Sequence, residues 1–226
     1  MVIGKTIDGA YFYAKDGLLG KWQKWILLII SCIIFPLFLG YVMRIYRGAS
    51  PAPELDEWGS MFIDGIKLLV VEFIFALPVI FLDFVLMGSA SVAFISVLKT
   101  SASGWYVDPS AMYGLLLGVF FGSLIIVIVA VLLGLFTATA FIRFARTGSF
   151  SEAFNFTEIF SHIGKIGWMT YIVALIMLVI MIGIVSVVSL VIPYIGFIVF
   201  LILLPFLGVF SARYLSLLYD LAGTPA

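Results

Sequence analysis

Two acidic residues, Glu72 and Asp83, lie within a long apolar run and are the first candidates for chemistry. Ionisable side chains inside a membrane are costly, and they commonly mark proton or ion pathways. Pro78 lies between the two acids and would loosen a helix there, because proline removes a backbone hydrogen bond. The pattern is therefore consistent with a proton or cation relay.

The positions of these acids favour a structural role at the membrane surfaces instead. Glu72 follows Lys67 by five residues, about one and a half helical turns, so its carboxylate can reach the interface. Asp83 follows Lys67 by 16 residues, about 24 Å along a helix, which places it near the far headgroups. We therefore expect Glu72 to contact a basic or hydroxyl partner where the helices leave the membrane.

Other residue types that commonly carry chemistry are sparse. His162 is the single histidine and Cys32 the single cysteine. The sequence places His162 on the polar face of an amphipathic segment, where a solvent-facing side chain is expected rather than a metal ligand. No nucleotide-binding loop, catalytic triad or metal motif occurs in the sequence. We therefore predict a protein without enzymatic activity, metal or cofactor.

The composition identifies the solvent that these residues meet. Apolar residues form 64% of the 226 and charged residues 11%, with a mean hydropathy of +1.28. Soluble domains are about 45–50% apolar and about 25% charged. The 12 basic and 12 acidic residues cancel, which argues against nucleic acid as a partner. We therefore expect a multi-pass protein of the cell membrane, with the lipid bilayer as its main partner.

Five apolar runs are long enough, or nearly so, to cross a bilayer as helices, which takes about 20 residues. The runs are Trp25–Met43, Ile66–Leu98, Met112–Ile142, Ile166–Ile192 and Tyr194–Ala212. Their uniform apolar character favours helices over barrel strands, which alternate in polarity. The small residues at 88–91 predict the end of the second helix, and the short, uncharged "VIPYIG" predicts a hairpin of the last two. The expected fold is a single all-α membrane domain over residues 1–226.

The first run admits two topologies. If all five runs cross, seven basic residues face one side and five the other. If the first run dips in and returns at Pro36, the split becomes 11 against 1. Basic residues accumulate on the cytoplasmic side, so the charges favour the second topology, with four spanning helices, a re-entrant first segment and both termini in the cytoplasm. A plain spanning helix with a tolerated proline is the alternative.

Part of the sequence occurs twice. The stretch "RIYRGASPAPELDEWGSMFIDGIK" aligns with "RFARTGSFSEAFNFTEIFSHIGK", and each begins with R-x-x-R and ends with lysine. A weaker third copy lies at 8–21. Each copy has apolar residues at helical spacing, which predicts amphipathic helices along the cytoplasmic membrane surface, including Glu54–Lys67 and Glu152–Lys165. Ser149, three residues before Glu152, matches a capping box.

The repeat divides the domain into three parts, 1–47, 48–146 and 147–226, each with a surface helix followed by membrane segments. The basic residues of the repeat have an ordinary interpretation as orientation anchors. A sharper hypothesis makes them ligands for anionic lipid headgroups. The candidates are Arg44, Arg47, Arg143, Arg146, Lys67 and Lys165.

Glycines mark one face of the third apolar run. Small residues let two helix backbones approach closely, within one chain or between chains. We expect packing within the chain, and association into a homo-oligomer or with another membrane protein is the alternative. The glycines are Gly114, Gly118, Gly122 and Gly134.

Short motifs give the chain a family resemblance. They are G-Y-x-x-R-x-x-R at Gly40–Arg47, P-E-x-x-E-W at Pro53–Trp58 and F-x-D-G-x-K at Phe62–Lys67. With these motifs the chain resembles an uncharacterised, largely archaeal family of membrane proteins called domain of unknown function 4013. The resemblance covers most of the chain. It implies an integral membrane protein with no established activity and no assigned catalytic or binding residue.

Two functions fit these patterns. The surface helices, the re-entrant segment and the glycine face favour a non-enzymatic scaffold that organises or shapes the membrane. Glu72, Asp83, Pro78 and the internal repeat favour a small solute or ion transporter or a channel subunit, since repeats are common in transporters. A transporter needs a polar cavity at mid-membrane, whereas a scaffold needs a closed apolar bundle. We expect the first function.

Overall fold

The computed structural model describes residues 2–102, 109–191 and 195–223, which form helices joined by short loops. A short 3-10 helix, Phe150–Phe154, accompanies the α-helices of these residues. The α-helices are α1 (Val2–Leu18), α2 (Trp22–Ile33), α3 (Phe35–Tyr46), α4 (Trp58–Ala102), α5 (Pro109–Thr147), α6 (Phe156–Ile166), α7 (Trp168–Val191) and α8 (Ile195–Asp220). The all-α prediction is confirmed.

Four helices of the described chain are long and apolar enough to cross a membrane, as predicted. The stretches are Trp58–Lys99, Pro109–Thr147, Trp168–Val187 and Ile198–Asp220. The chain divides into two compact units, Met1–Val71 with Leu135–Ala226, and Glu72–Gly134. Both α4 and α5 continue from the first unit into the second.

The first membrane segment is broken, as the favoured re-entrant topology requires. The α-helix stops at Ile34, whose φ of −93° and ψ of 76° are not helical, and Pro36 stands in the first turn of α3. A proline is tolerated there because the first turn has no intrahelical partner for its nitrogen. Each of the two helices has 12 residues, about 18 Å, too short for a hydrocarbon core of about 30 Å.

The two helices of this segment return to the same loop. Lys24, near the start of α2, forms an ion pair with the carboxylate of Glu54 at 3.1 Å. Arg44, near the end of α3, donates to the carbonyl of Glu54 at 3.1 Å. Because one residue contacts both ends of the segment, α2 and α3 form a helical hairpin rather than one crossing.

Two glycines let α3 and α4 approach each other backbone to backbone. A Cβ built on Gly40 would lie 1.7 Å from the carbonyl oxygen of Met61, and one on Gly65 would lie 1.7 Å from that of Pro36. The contacts are reciprocal, because Pro36 and Gly40 lie one helical turn apart in α3 and Met61 and Gly65 lie one helical turn apart in α4. Only residues without a side chain permit so close an approach. We call this contact the glycine crossing.

α8 is the central helix of the first unit and packs against α1, α2, α3, α6 and α7. The indole of Trp25 donates to the carbonyl of Ile202 at 2.8 Å, which fixes the start of α2 on α8. The hydroxyl of Tyr214, fully buried, donates to the carbonyl of Ala174 at 2.9 Å. This bond joins α7 and α8 as the predicted hairpin, whose connection at 192–194 lies outside the described residues.

Two sequence predictions about α4 are wrong. The helix continues without interruption through 88–91 and through Lys67, so it neither ends at the small residues nor begins with a separate surface helix over Glu54–Lys67. Residues 54–57 are loop, and the first turns of α4 itself follow them. The serines do not interrupt the helix because their hydroxyls bond within it, as Ser89 does to the carbonyl of Leu86 at 2.8 Å.

The helix predicted over Glu152–Lys165 is present in part as α6, which begins at Phe156, and its cap differs from the predicted one. The expected capping box fails, since Ser149 makes no side-chain capping bond and a 3-10 turn intervenes. Instead the side chain of Asn155 accepts a hydrogen bond from the backbone N–H of Glu158 at 3.3 Å. Gly167, with φ of +93°, ends α6 in a conformation that favours glycine and separates it from α7.

Only one of the four α5 glycines predicted to pack within the chain has close neighbours among the described residues. A Cβ on Gly122 would lie 3.3 Å from the Met87 side chain and 3.6 Å from that of Leu86, so this glycine packs on α4 inside the second unit. The same test at Gly114, Gly118 and Gly134 meets nothing within 4 Å of the described chain. Packing within the chain, expected for all four, is therefore seen at Gly122 alone, because α4 passes close to α5 there.

We predict that Gly65→Ala destabilises the protein and that Gly118→Ala does not. At Gly65 the new methyl group must push α3 away from α4, a cost of about 1–3 kcal/mol or more. At Gly118 the methyl group meets open space and improves helix propensity. Thermal unfolding midpoints in detergent compare the two variants. Equal midpoints would contradict the glycine crossing.

Candidate functional site

The ends of α3 and α5 carry two arginines each, and all four form ion pairs with acids of the same chain. We call this set the arginine layer. Its arginines are Arg44, Arg47, Arg143 and Arg146, and their acidic partners are Asp56, Asp64, Glu152 and Asp220. Fully exposed pairs contribute about 0–1 kcal/mol, but Arg143 is only 15% exposed, so its pair is screened less.

The first arginine of each repeat copy holds the loop that follows it. Arg44 pairs with the carboxylate of Asp56 and donates to its carbonyl at 2.9 Å. Arg143 binds Glu152 through two guanidinium nitrogens, with Nε at 2.7 Å. The hydrogen bond from Arg143 lowers the pKa of Glu152. The two copies are therefore alike in pairing the first arginine with an acid that follows it, although the acid lies 12 residues on in one copy and 9 in the other.

The second arginine of each copy contacts a helix. Arg47 pairs with Asp64 of α4 at 2.6 Å. Arg146 pairs with Asp220 at 2.7 Å and donates to the carbonyl of Tyr46 at 2.8 Å. Since Tyr46 ends α3 and Asp220 ends α8, Arg146 links the ends of three helices. The arginine layer thus connects the end of α3, which belongs to the hairpin, with the ends of α5 and α8.

The six predicted headgroup ligands differ in whether their charged groups are already bound by acids of the chain. The four arginines are held by carboxylates of the chain. Lys67 lies 3.6 Å from Asp64, and its side chain is 56% exposed. Lys165 is exposed and makes no ion pair within the described residues. Headgroup binding by these six residues stays a prediction, and what the geometry shows for the arginines is a structural use.

His162 is buried, so the prediction of a solvent-facing histidine is wrong. Its ring is 7% exposed and stacks on the ring of Tyr219, with centroids 3.7 Å apart. Its Nε2–H donates to the carbonyl of Tyr219 at 2.9 Å. The polar face of α6 therefore packs on the end of α8, which satisfies the histidine. Burial lowers the pKa of His162, although this hydrogen bond acts in the opposite direction.

Glu72 and Asp83 are both exposed on α4. Eleven residues separate them, about three turns, so they lie on one face of the helix. Within the described residues neither carboxylate makes a hydrogen bond or ion pair. The basic or hydroxyl partner expected for Glu72 is thus not found there.

No group of three or more His, Cys, Asp or Glu residues that could hold a metal occurs in the described part of the chain. Two clefts among the described residues also lie away from Glu72 and Asp83. One of about 620 Å³ is lined by the start of α2 and by Glu54 and Leu55. Another, apolar, lies between α4 and α5 and includes Met87 and Val119. Neither contains Glu72 or Asp83.

The glycine crossing and the arginine layer, apart from Asp220, fall within one recognised family region. The family model described as "Protein of unknown function (DUF4013)" matches residues 25–194, about three quarters of the chain. The chain belongs to the DUF4013 family. No curated protein and no solved structure matches it. The resemblance seen in the sequence motifs is confirmed, and membership of DUF4013 assigns this protein no activity.

Sequence reasoning missed the two glycines that matter most in this DUF4013 member. Gly40 and Gly65 each lie in one of the motifs that carry the family resemblance, which is the signal that could have found them. The regular glycine spacing predicted contacts at Gly114 and Gly118 instead. Such spacing shows that a second helix could approach closely, but it does not show where a second helix lies. The Lys24–Glu54 pair was also missed, since it joins residues 30 apart in the sequence.

We predict that His162 makes stability fall as the pH decreases from about 7.5 to about 5.5. A lowered folded-state pKa means that the unfolded chain takes up the proton first, near the ordinary value of about 6.5. Stability is thus fully present above that pH and is lost below it. Unfolding midpoints across this range should fall less steeply for His162→Asn than for the wild type. An identical slope in both would contradict the burial of this ring.

Proposed function

We propose that this DUF4013 member is a non-enzymatic, multi-pass protein of the cell membrane that acts as a scaffold at its cytoplasmic surface. The observation that carries the proposal is the arginine layer, which ties the helical hairpin, α4, α5 and α8 together with ion pairs of the chain itself. The functional surface is therefore a rigid one, in which charged groups hold helices rather than line a passage.

Exposed aromatic residues support placement of this surface at a bilayer interface. Phe160 of α6 lies 4.7 Å from the ring of Phe136 and 5.6 Å from that of Trp168. Phe160 and Trp168 are both exposed in the chain. Aromatic side chains are enriched at membrane interfaces, where a ring meets both lipid and water. A surface helix of this kind suits contact with anionic headgroups and with a second membrane protein or another copy of the chain.

We propose further that both termini lie in the cytoplasm. The hydroxyl of Tyr13 in α1 donates to the carbonyl of Ala49 at 2.8 Å, so α1 lies beside the loop after α3. α1 also packs on α8, and Asp220 at the end of α8 belongs to the arginine layer. These contacts support a common side for both termini, and the charge split of 11 to 1 favours the cytoplasm for that side.

Cysteine labelling tests this orientation. In a Cys32→Ser background, we expect Lys5→Cys and Leu221→Cys to be protected from an impermeant maleimide added to intact cells. Lys99→Cys, the basic residue assigned to the opposite side, is the matched control and should react. Labelling at position 5 or 221 from outside would overturn the cytoplasmic scaffold, and lysed cells verify that each cysteine is reactive.

Transport is the second candidate, and the unpartnered state of Glu72 and Asp83 in the described structure is the observation that favours it. An ionisable group on a lipid-facing helix is costly, by about 2.5–3.5 kcal/mol for Asp at the centre of the bilayer. Retaining two such groups on one helix face would be explained by a proton or cation that visits them. Neither acid lines the two clefts described above, and scaffolding is therefore preferred.

We predict no flux of protons, sodium or potassium through vesicles containing the wild-type protein. Glu72→Gln should also leave the free energy of unfolding within about 0.5 kcal/mol of the wild type, because no contact is lost. Vesicles without protein are the negative control for the flux assay, and vesicles with a known ionophore are the positive control. A cation flux that Glu72→Gln abolishes, with an unchanged midpoint, would replace the scaffold by the transporter.

A further inference from the structure

Arg213 of α8 differs from the arginines of the arginine layer. Within the described residues its guanidinium makes no ion pair, and its Nε atom is buried without a hydrogen-bond partner. The group lies over the ring of Tyr13 in α1, 4.6 Å from the centroid. A buried donor without an acceptor is destabilising, and more so when the group is charged. This position therefore calls for an acceptor that the described chain does not supply.

Tyr13 is not that acceptor. Its hydroxyl already donates to the carbonyl of Ala49. Burial raises the pKa of Tyr13 to about 12, although the charge of Arg213 acts in the opposite direction. The phenol is consequently neutral at physiological pH and attracts the guanidinium only through the face of its ring. The positive charge of Arg213 stays without a counter-ion from this neighbour.

A cleft of about 320 Å³ opens beside Arg213, between α1, the loop after α3 and the end of α8. It contains a second cation, a hydroxyl group, one carboxylate and apolar surface. The residues that supply these groups, with the arginine, are Phe12, Asp16, Lys21, Ser50 and Arg213. Two cations against one acid leave the lining with a net positive charge. Phe12 is 53% exposed, so an apolar group has a surface beside the charged one.

We propose that this cleft binds the phosphate of an anionic phospholipid headgroup, with Arg213 and Lys21 as its cationic ligands. The inference rests on the proposed function, because it requires α1 and the end of α8 to lie at the membrane surface. It assigns headgroup binding to a pair of residues outside the arginine layer, whose guanidinium groups are held by carboxylates.

The chemistry of the two cations suits a phosphate. An arginine presents a planar fork of donors that matches two phosphate oxygens, and a lysine adds a mobile point charge. The exposed ring of Phe12 would lie against the glycerol or acyl part of a lipid. A soluble phosphate ester offers the same anion without that apolar part, so the two sources of phosphate can be separated by experiment.

Lipid-dependent thermal stability of the purified full-length protein tests the site. In neutral detergent we expect phosphatidylglycerol to raise the unfolding midpoint, because a ligand that binds only the folded state stabilises it. Phosphatidylcholine and soluble glycerol 3-phosphate should have little effect. Arg213→Gln and Lys21→Gln should each weaken the apparent affinity for phosphatidylglycerol about tenfold. Lys5→Gln is the matched control, since it removes an equal charge from an exposed position of α1 outside the cleft.

Each other result overturns a defined part of the proposal. Equal affinity in the wild type and all three variants would remove headgroup binding from this cleft, and the scaffold would still be judged by cysteine labelling. An equal response to phosphatidylcholine would exclude anionic selectivity. An equal response to glycerol 3-phosphate would replace the lipid by a soluble ester. If Arg213→Gln does not fold, Lys21→Gln decides, because Lys21 is exposed and its loss leaves the packing intact.

Discussion

The first unit depends on the close approach of α3 and α4 at Gly40 and Gly65. A chain that dips into lipid and returns has to enclose its backbone in protein, because unsatisfied polar groups are costly in hydrocarbon. At the glycine crossing the carbonyl oxygens of Pro36 and Met61 lie against the neighbouring helix instead of against lipid. Such backbone contacts also permit weak Cα–H···O interactions. The hairpin is thus received by a helix whose own glycine, Gly65, permits the contact.

The arginine layer makes the balance of charges understandable. The net charge of zero does not mean that charges are scattered, since acids that follow the arginines in the sequence are the ones that pair with them. Arg44 and Arg143 each hold a loop, whereas Arg146 joins helix ends that are distant in sequence. Arginines that would orient any membrane helix are used here as internal connections. This explains why Arg213, which lacks such a carboxylate in the described chain, is the better candidate for an external anion.

The sequence could predict whatever depends on length and local pattern. The four spanning helices follow from apolar length, and the break near Pro36 follows from proline chemistry together with the asymmetry of charge. The long-range partners could not be predicted in this way. The burial of His162 depends on Tyr219, 57 residues away, and the end of α8 was not expected to reach α6. The continuity of α4 was missed because small and polar residues in a helix can satisfy their hydroxyl groups internally.

The length of α4 has a consequence for the bilayer that surrounds it. The 31 residues between Lys67 and Lys99 measure about 47 Å along a helix, against a hydrocarbon core of about 30 Å. Even a tilt of about 40°, the upper end of what transmembrane helices adopt, leaves about 36 Å along the membrane normal. A hydrophobic stretch a few ångströms longer than the core is matched best by a thicker bilayer, so a membrane at the thick end of the usual range suits this helix best.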